Sequence, residues 1–188
     1  ASREDMRAQA DVLDFSKRAS SQRDGAAKYA LVATDLFTKE LWVEVMRDKT
    51  DAETKDAMRK ILSANGMPFK EISIDSGREF GPGFEQLMQD RGIVVRRKDP
   101  SQINAISGVD RAQQSLKSIL KNIQGDGGWA KNIKRAATLY NDREHSALYG
   151  AAPDDVSDNK MLQYHLEAEA GGKVKHNNQK WRQKSGRL

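Results

Sequence analysis

Alternating hydrophobic and polar positions predict five β-strands in the first half of the chain. Apolar side chains alternate loosely with polar ones from Ala8 to Phe15, and two β-rich runs follow with only three polar residues between them. Two such runs with a short polar connection are typical of an antiparallel hairpin. Two shorter apolar runs come later, so the predicted strands are residues 8–15, 28–37, 41–46, 71–75 and 92–97.

Helical periodicity and helix-end signals predict helices between and after these strands. Thr50, with Glu53 three residues later, forms a capping box before an amphipathic run, and Asn65-Gly66 stops that helix. An apolar stripe at helical spacing runs from Val109 to Ile123. The predicted helices are residues 51–62, 82–91, 109–123, 129–142 and 158–170, and Gly171-Gly172 is expected to end the last one.

The order of these elements predicts an α/β fold. Three strands are followed by helix, strand, helix, strand and then helices, with polar loops over residues 17–27 and 99–108. An antiparallel meander followed by alternating helices and strands indicates a mixed five-stranded sheet with helices on both faces. This pattern by itself is compatible with more than one kind of α/β sheet.

Charge divides the chain into two unequal parts. The 188 residues are enough for one domain with a short appendage. Residues 171–188 carry six Lys or Arg and no acid, whereas residues 1–170 carry 26 basic and 27 acidic residues. The net charge of +5 therefore does not mark the globular part as a nucleic-acid binder. We divide the chain into a core over 1–156, an additional helix over 157–170 and a basic flexible tail over 171–188.

The composition excludes several kinds of site. Because the chain has no cysteine, it can form no disulfide, thiol nucleophile or cysteine-ligated zinc site. Its three histidines, His145, His165 and His176, are not spaced as in a zinc motif. No apolar run is long enough to cross a bilayer and no signal-peptide pattern is present, so we expect no membrane partner.

Three aspartates fall where the predicted elements can bring them together. Asp11 lies in the middle of the first strand, Asp75 at the end of the fourth, and Asp110 at the start of a long helix. Carboxylates at such positions can converge at one edge of a sheet and hold two divalent cations. Their hard oxygens suit Mg²⁺. Spacing alone is weak support, because the chain has 27 acidic residues.

The residues around these acids form short motifs in a fixed order. In chain order the motifs are Gln-Ala-Asp at 9–11, Ile-Asp-Ser-Gly-Arg-Glu-Phe at 74–80, Ser-Gly-Val-Asp-Arg at 107–111, Tyr140-Asn141, His145 and Pro153. With 34 residues between Asp75 and Asp110, the series resembles the catalytic core of retroviral-type integrases. That superfamily includes LTR-retrotransposon and Maverick-type (Polinton) integrases. The resemblance spans roughly residues 6–156 and implies a ribonuclease-H-like fold.

The resemblance implies metal-dependent polynucleotidyl transfer. Asp11 would bridge two Mg²⁺ ions, for which Mn²⁺ would substitute, and Asp75 and Asp110 would each complete one ion site. Water would attack a phosphodiester near the end of a mobile element, and the freed 3′-hydroxyl would then attack target DNA. The implied partners are DNA and further copies of the chain. The implied location is the nucleus, or a virion or nucleoprotein complex inside the cell.

Three features depart from the family pattern. The Trp that the family usually has before the first acid is absent, and Arg7 and Ala8 stand there instead. The third acid is Asp110, where the family usually has Glu, and Ser76 stands where it usually has Asn. One methylene less displaces a carboxylate by roughly 1 Å unless the helix start moves inward, and such sites need tight positioning. Gly108 leaves the backbone room for that approach, although Gly77 and Gly108 are most simply explained by tight turns.

The predicted DNA contacts lie on the long helix and in the tail. Gln114, Lys117 and Lys121 share the helical face of Asp110 and suit phosphate contacts, but an ordinary solvated face explains them equally well. In the tail, contacts with DNA are predicted for Lys173, Lys175, Lys180 and Arg182. The alternative is a linker toward a further domain, in which the charge serves solubility.

Other polar residues near the motifs have simpler interpretations. Asp14 competes with Asp11, but the period of a strand places the two on opposite faces, so only one can point at the site. The match to the family motif favours Asp11. We expect Asp35 to stabilise a turn and His145 to pack against or cap a helix end.

Two other functions are compatible with the sequence. One is a non-catalytic DNA-binding or assembly module derived from an integrase core, for which Asp110 in place of Glu would be a sign of decay. The other is a ribonuclease-H-like nuclease without strand transfer. An integrase would bind metal among the three acids, whereas the non-catalytic module would not. An integrase would also use a 3′-hydroxyl as nucleophile, whereas the nuclease would not.

Overall fold

One mixed sheet forms the centre of the fold in the computed structural model, which describes residues 6–17, 21–66, 69–98, 107–123 and 128–185. Its strands are β1 (Arg7–Asp14), β2 (Tyr29–Asp35), β3 (Leu41–Met46), β4 (Glu71–Ile74) and β5 (Val94–Arg97). Their spatial order is β3-β2-β1-β4-β5. The first three strands pair antiparallel, whereas β4 runs parallel to β1 and β5 parallel to β4. The predicted mixed five-stranded sheet is confirmed.

The helices within the described residues largely follow the predicted order. They are α1 (Ser21–Asp24), α2 (Asp51–Asn65), α3 (Pro82–Asp90), α4 (Ser107–Asn122), α5 (Trp129–Asn141) and α6 (Lys160–Ser185), with 3-10 turns at Ser146–Leu148 and Pro153–Asp155. The short helix α1 interrupts the segment that was expected to be loop throughout. Residues 99–106 of the other predicted loop lie outside the described residues.

The ends of α2 show why its sequence signals work. The Thr50 hydroxyl accepts a hydrogen bond from the Glu53 N–H over 3.4 Å. In a full capping box the Glu53 carboxylate would accept from the Thr50 N–H, but here it accepts from the Arg47 N–H over 3.0 Å. This bond connects the helix start to the residue that follows β3. Gly66 ends the helix in a left-handed conformation with φ of 63°, which glycine adopts without steric cost.

Helices cover both faces of the sheet, as predicted. On one face Ala8, Ala10 and Val12 of β1 belong to a core that includes buried residues of α2 and α3. On the other face Leu13 and Phe15 pack in a core with buried residues of α4 and α5. Because successive side chains of a strand alternate between faces, the odd-numbered positions of β1, Asp11 among them, face α4 and α5.

The last helix is longer than the sequence predicted. α6 continues through Gly171 and Gly172 to Ser185, so the expectation that these glycines end it is wrong, and the basic segment is helical that far. Neither glycine has the positive φ of the cap that ends α2. The start of α6 is anchored by Leu162 and Leu166, which belong to a small third core. Among the described residues, no helix is long and apolar enough to span a bilayer.

Candidate active site

Asp11 is a partly buried carboxylate between β1 and α4. Its Oδ2 accepts a hydrogen bond from the Gln113 side-chain amide over 2.9 Å, and its Oδ1 accepts from the Val12 N–H over 2.8 Å. Burial raises the pKa of Asp11, the two hydrogen bonds oppose that rise, and the negative charges of Asp75 and Asp110 add to it. Asp75 and Asp110 are therefore both close enough to Asp11 for their charges to act on it.

Asp75 follows β4 directly and is held by the turn that comes after it. Its Oδ1 accepts from the Gly77 N–H over 3.0 Å. β4 pairs parallel to β1, with Ser73 opposite Gln9, so the end of β4 lies next to the part of β1 that carries Asp11. Ser76, at the position where the family usually has Asn, places its hydroxyl 3.4 Å from the Lys98 carbonyl oxygen.

Asp110 reaches this region because the start of α4 packs tightly on β1. The Gln9 side-chain oxygen accepts from the Val109 N–H over 3.1 Å. A Cβ at Gly108 would stand only 2.6 Å from that same oxygen, so a larger residue would displace the Gln9 side chain or the helix start. Gly108 lies inside the helix and serves this close approach, so the turn role predicted for it is wrong. Asp110 itself is exposed in the first helical turn.

The donor chemistry of this region suits divalent cations. Three carboxylates supply the hard oxygens that Mg²⁺ prefers, and a cation would relieve the mutual repulsion that contributes to the raised pKa of Asp11. Within the described ranges, no three His, Asp or Glu side chains stand close enough together to share one metal ion. The predicted arrangement requires only two acids per ion, with Asp11 common to both.

The competing aspartate points away from the site. Asp14 is exposed, and its Oδ1 accepts from the Ser16 N–H over 2.7 Å. Hydrogen bonds from Ser16 hold the pKa of Asp14 below its usual range. Asp11 is the one that faces α4, which confirms that the two residues lie on opposite faces.

The two residues expected to have structural roles do so. The Oδ1 of Asp35 accepts hydrogen bonds from the N–H groups of Phe37 and Thr38 over 2.6 and 2.7 Å, so the carboxylate closes the turn after β2. His145 places Nε2 3.0 Å from the Tyr140 carbonyl oxygen, and the two rings pack edge to face 4.5 Å apart. Its predicted packing role at the end of α5 is confirmed.

The predicted DNA contacts occupy exposed positions where their side chains are described. Gln114, Lys117 and Lys121 are all exposed on α4. On α6, Lys173 and Lys175 are exposed, and the Lys173 ammonium is 2.5 Å from a Glu169 carboxylate oxygen. The side chains of Lys180 and Arg182 lie outside the described part of the structure. DNA contact by any of these residues stays a prediction.

Three functional candidates were not singled out from the sequence. Gln113 lies three residues after Asp110, and only the packing of α4 on β1 shows that its amide reaches Asp11. Lys49 and Glu79 form an ion pair with 2.8 Å between Nζ and Oε1. The Glu79 carboxylate, followed by the charges of Asp11 and Asp75, raises the pKa of Lys49, which places this lysine beside the acids. Glu79 lies inside the motif at 74–80 and could have drawn attention there.

Comparison with solved structures identifies the fold. The catalytic core domain of BIV integrase aligns with a TM-score of 0.64 and 18% sequence identity, covering 89% of this chain and 98% of that one. A chain of the simian T-cell lymphotropic virus intasome in complex with PP2A regulatory subunit B56 gamma aligns with a TM-score of 0.65 and 16% identity. That match covers 80% of this chain and 53% of the other. Comparison with protein-family models and with curated proteins gives no match.

The class of protein follows from the sheet order and these alignments. The chain has a ribonuclease-H-like α/β fold. More particularly, it has the fold of a retroviral integrase catalytic core, as its motifs predicted.

Proposed function

We propose that the chain is a metal-dependent polynucleotidyl transferase that processes the ends of mobile-element or viral DNA and joins them to target DNA. The observation that carries the proposal is the placement of the end of β4 and the start of α4 beside Asp11, where the charges of Asp75 and Asp110 act on its carboxylate. These are the three acids that the motifs selected, and the chain that carries them shares its fold with an integrase catalytic core, which supports the proposal.

In this proposal Asp11, Asp75 and Asp110 hold two Mg²⁺ ions, and Mn²⁺ substitutes for them. When bound, such a pair of ions activates the attacking oxygen and stabilises the leaving oxygen of a phosphodiester. The residues of the chain supply orientation. The Gln113 amide fixes the Asp11 carboxylate, and the Gly77 N–H fixes Asp75.

DNA and further copies of the chain are the proposed partners. The exposed positions of Gln114, Lys117, Lys121, Lys173 and Lys175 support phosphate contacts, which add sequence-independent and salt-sensitive affinity. The structural similarity to a chain of an intasome supports assembly with DNA as an oligomer. Joining two DNA ends in one event requires more than one active site, and a location in the nucleus or in a nucleoprotein complex would follow.

The test is a strand-transfer assay on a short labelled duplex that already carries a free 3′-hydroxyl, with Mg²⁺ or Mn²⁺ present. We expect the natural chain to produce joined products, and we expect Asp75→Asn and Asp110→Ala to abolish them. Cleavage without joining would instead identify a ribonuclease-H-like nuclease. Activity in Asp75→Asn equal to that of the natural chain would contradict the proposed site.

Asp110→Glu tests the shorter third acid in the same assay. Because the start of α4 already packs closely on β1 through Gly108, an added methylene should overfill the site. We therefore expect lower or unchanged activity. A rise in strand transfer would instead mean that nothing compensates for the short side chain, as in a decaying, non-catalytic relative.

A further inference from the structure

A buried carboxylate lies beneath the turn that carries Asp75. The Glu79 side chain, four residues after Asp75, is only 5% exposed. A Cβ at Gly77 would stand 2.5 Å from the Glu79 carboxyl carbon, so Gly77 packs directly on that carboxylate. The N–H of the same glycine donates to Asp75 Oδ1. The position of Glu79 therefore limits where the turn, and with it the Asp75 carboxylate, can lie.

Lys49 is the cation that neutralises this carboxylate. It lies between β3 and α2, far from Glu79 in sequence, and its Nζ is 2.8 Å from Glu79 Oε1. Among the described residues, this oxygen is buried and receives no hydrogen bond of standard geometry, so its charge depends on the ion pair. Removing one partner of a buried pair leaves an uncompensated charge, whereas replacing both by neutral groups of similar size is often tolerated.

The other side of the same turn has an independent support. The Arg97 guanidinium donates to the Phe80 carbonyl oxygen, lies 3.5 Å from the Asp75 carbonyl oxygen and forms an ion pair with Glu85 at 2.7 Å. Phe80 itself is fully buried in the core beneath α2 and α3. Loss of the Lys49–Glu79 contact should therefore displace the Asp75 turn locally while the fold stays intact.

We infer that Lys49 and Glu79 are positioning residues that act as a pair to hold the Asp75 carboxylate in place for metal binding. The inference rests on the proposed function and names a determinant of its metal affinity. Without Lys49, the buried carboxylate beneath Gly77 is left without its cation and must move toward solvent, and the turn moves with it. A competing role for Lys49 is direct contact with a DNA phosphate, because its side chain is 44% exposed beside the acids.

The experiment is a Mn²⁺ titration of the full metal-free chain without DNA, followed by the electron paramagnetic resonance signal of the free ion. Four variants are compared with the natural chain: Lys49→Met, Lys49→Arg, the double variant Lys49→Met with Glu79→Gln, and Lys60→Met. Lys60 is an exposed lysine on α2 and serves as the matched control for loss of a positive charge. Thermal unfolding of each variant shows whether it is folded.

We expect Lys49→Met to weaken Mn²⁺ binding about tenfold, the lower end of the effect that partners of metal ligands have on affinity. The double variant and Lys49→Arg should bind nearly as well as the natural chain, because no buried charge is left unpaired. Unchanged affinity in Lys49→Met, or a double variant as weak as the single one, would overturn the inference. If Lys49→Met does not fold, the double variant is decisive. Mn²⁺ affinity equal to that of the natural chain would support the inference, and tenfold weaker binding would overturn it.

Asp11→Asn and Asp75→Asn locate the ion that the titration measures. If the natural chain binds no Mn²⁺, or if these two variants bind it normally, the proposed function fails and the inference fails with it. If both lose Mn²⁺ while Lys49→Met binds normally, only the inference about Lys49 and Glu79 fails.

Discussion

Two aspartates on neighbouring strands, Asp11 partly buried and Asp35 buried, illustrate how surroundings decide the use of one side chain. Asp11 on β1 and Asp35 at the end of β2 both have a pKa raised chiefly by burial. Asp35 is nonetheless well satisfied, since one of its oxygens accepts two backbone N–H groups from the turn that it closes. Asp11 accepts a side-chain amide on one oxygen and a single backbone N–H on the other, and two other carboxylates lie nearby.

The difference separates a structural from a functional carboxylate. Backbone donors fix the Asp35 charge within a turn and need nothing further. The charges of Asp75 and Asp110 add to the raised pKa of Asp11, and a bound cation would relieve that repulsion. Perturbed acids of the second kind are the ones that mark functional sites.

The largest expected effect is on catalysis. Asp11→Asn should lower metal-dependent strand transfer by at least about 100-fold, since the charge stabilisation that bound ions supply amounts to several kcal/mol. Asp35→Asn should leave the rate close to that of the natural chain, because the amide oxygen can still accept the bonds that close the turn. Rates in the strand-transfer assay check both. Similar losses in the two variants would remove the distinction between the two aspartates.

The next effect is on stability, where the order of the two aspartates is reversed: substitution of Asp35 should cost more than substitution of Asp11. Asp35→Ala leaves the N–H groups of Phe37 and Thr38 without their acceptor and should lower the free energy of unfolding by about 2–4 kcal/mol. Asp35→Asn should recover most of that loss. Asp11→Ala, measured by urea unfolding without metal, should cost much less, because the substitution also removes repulsion from Asp75 and Asp110. A larger cost for Asp11→Ala would make Asp11 a structural residue.

The smallest effect is a difference in pH dependence between Asp11 and Asp14 on the same strand. The folded-state pKa of Asp11 lies above the unfolded value, so its favourable contribution exists at low pH and is lost as pH rises through the folded pKa. The stability of metal-free Asp11→Asn relative to the natural chain should therefore increase as pH rises from below about 4.

Asp14→Asn is the control with the opposite sign. The pKa of Asp14 is lowered in the fold, so its contribution is present above the unfolded pKa and is lost as pH falls through the folded one. The relative stability of Asp14→Asn should decrease over the same rise in pH. Urea unfolding across pH 3–7 checks both slopes, and slopes of the same sign would contradict the assigned environments.

Local signals were sufficient for most of the secondary structure. The period of two in β1, the Thr50 cap and the Gly66 stop each involve neighbours within a few residues, so the sequence alone predicted those elements and their order. The same reasoning failed at Gly171-Gly172, because a glycine pair only lowers helix propensity by about 1 kcal/mol per residue and does not forbid a helix.

The sequence by itself also determined which acids are candidates, because the motifs around Asp11, Asp75 and Asp110 are contiguous stretches of the chain. Only the tertiary structure decided what surrounds those acids. The contact of Gln113 with Asp11 spans 102 positions, and that of Gln9 with Val109 spans 100. The ion pair of Lys49 with Glu79 likewise joins separate segments. Such pairs produce no periodic pattern in the sequence of either segment, because the two residues meet only when the sheet brings distant strands and helices together.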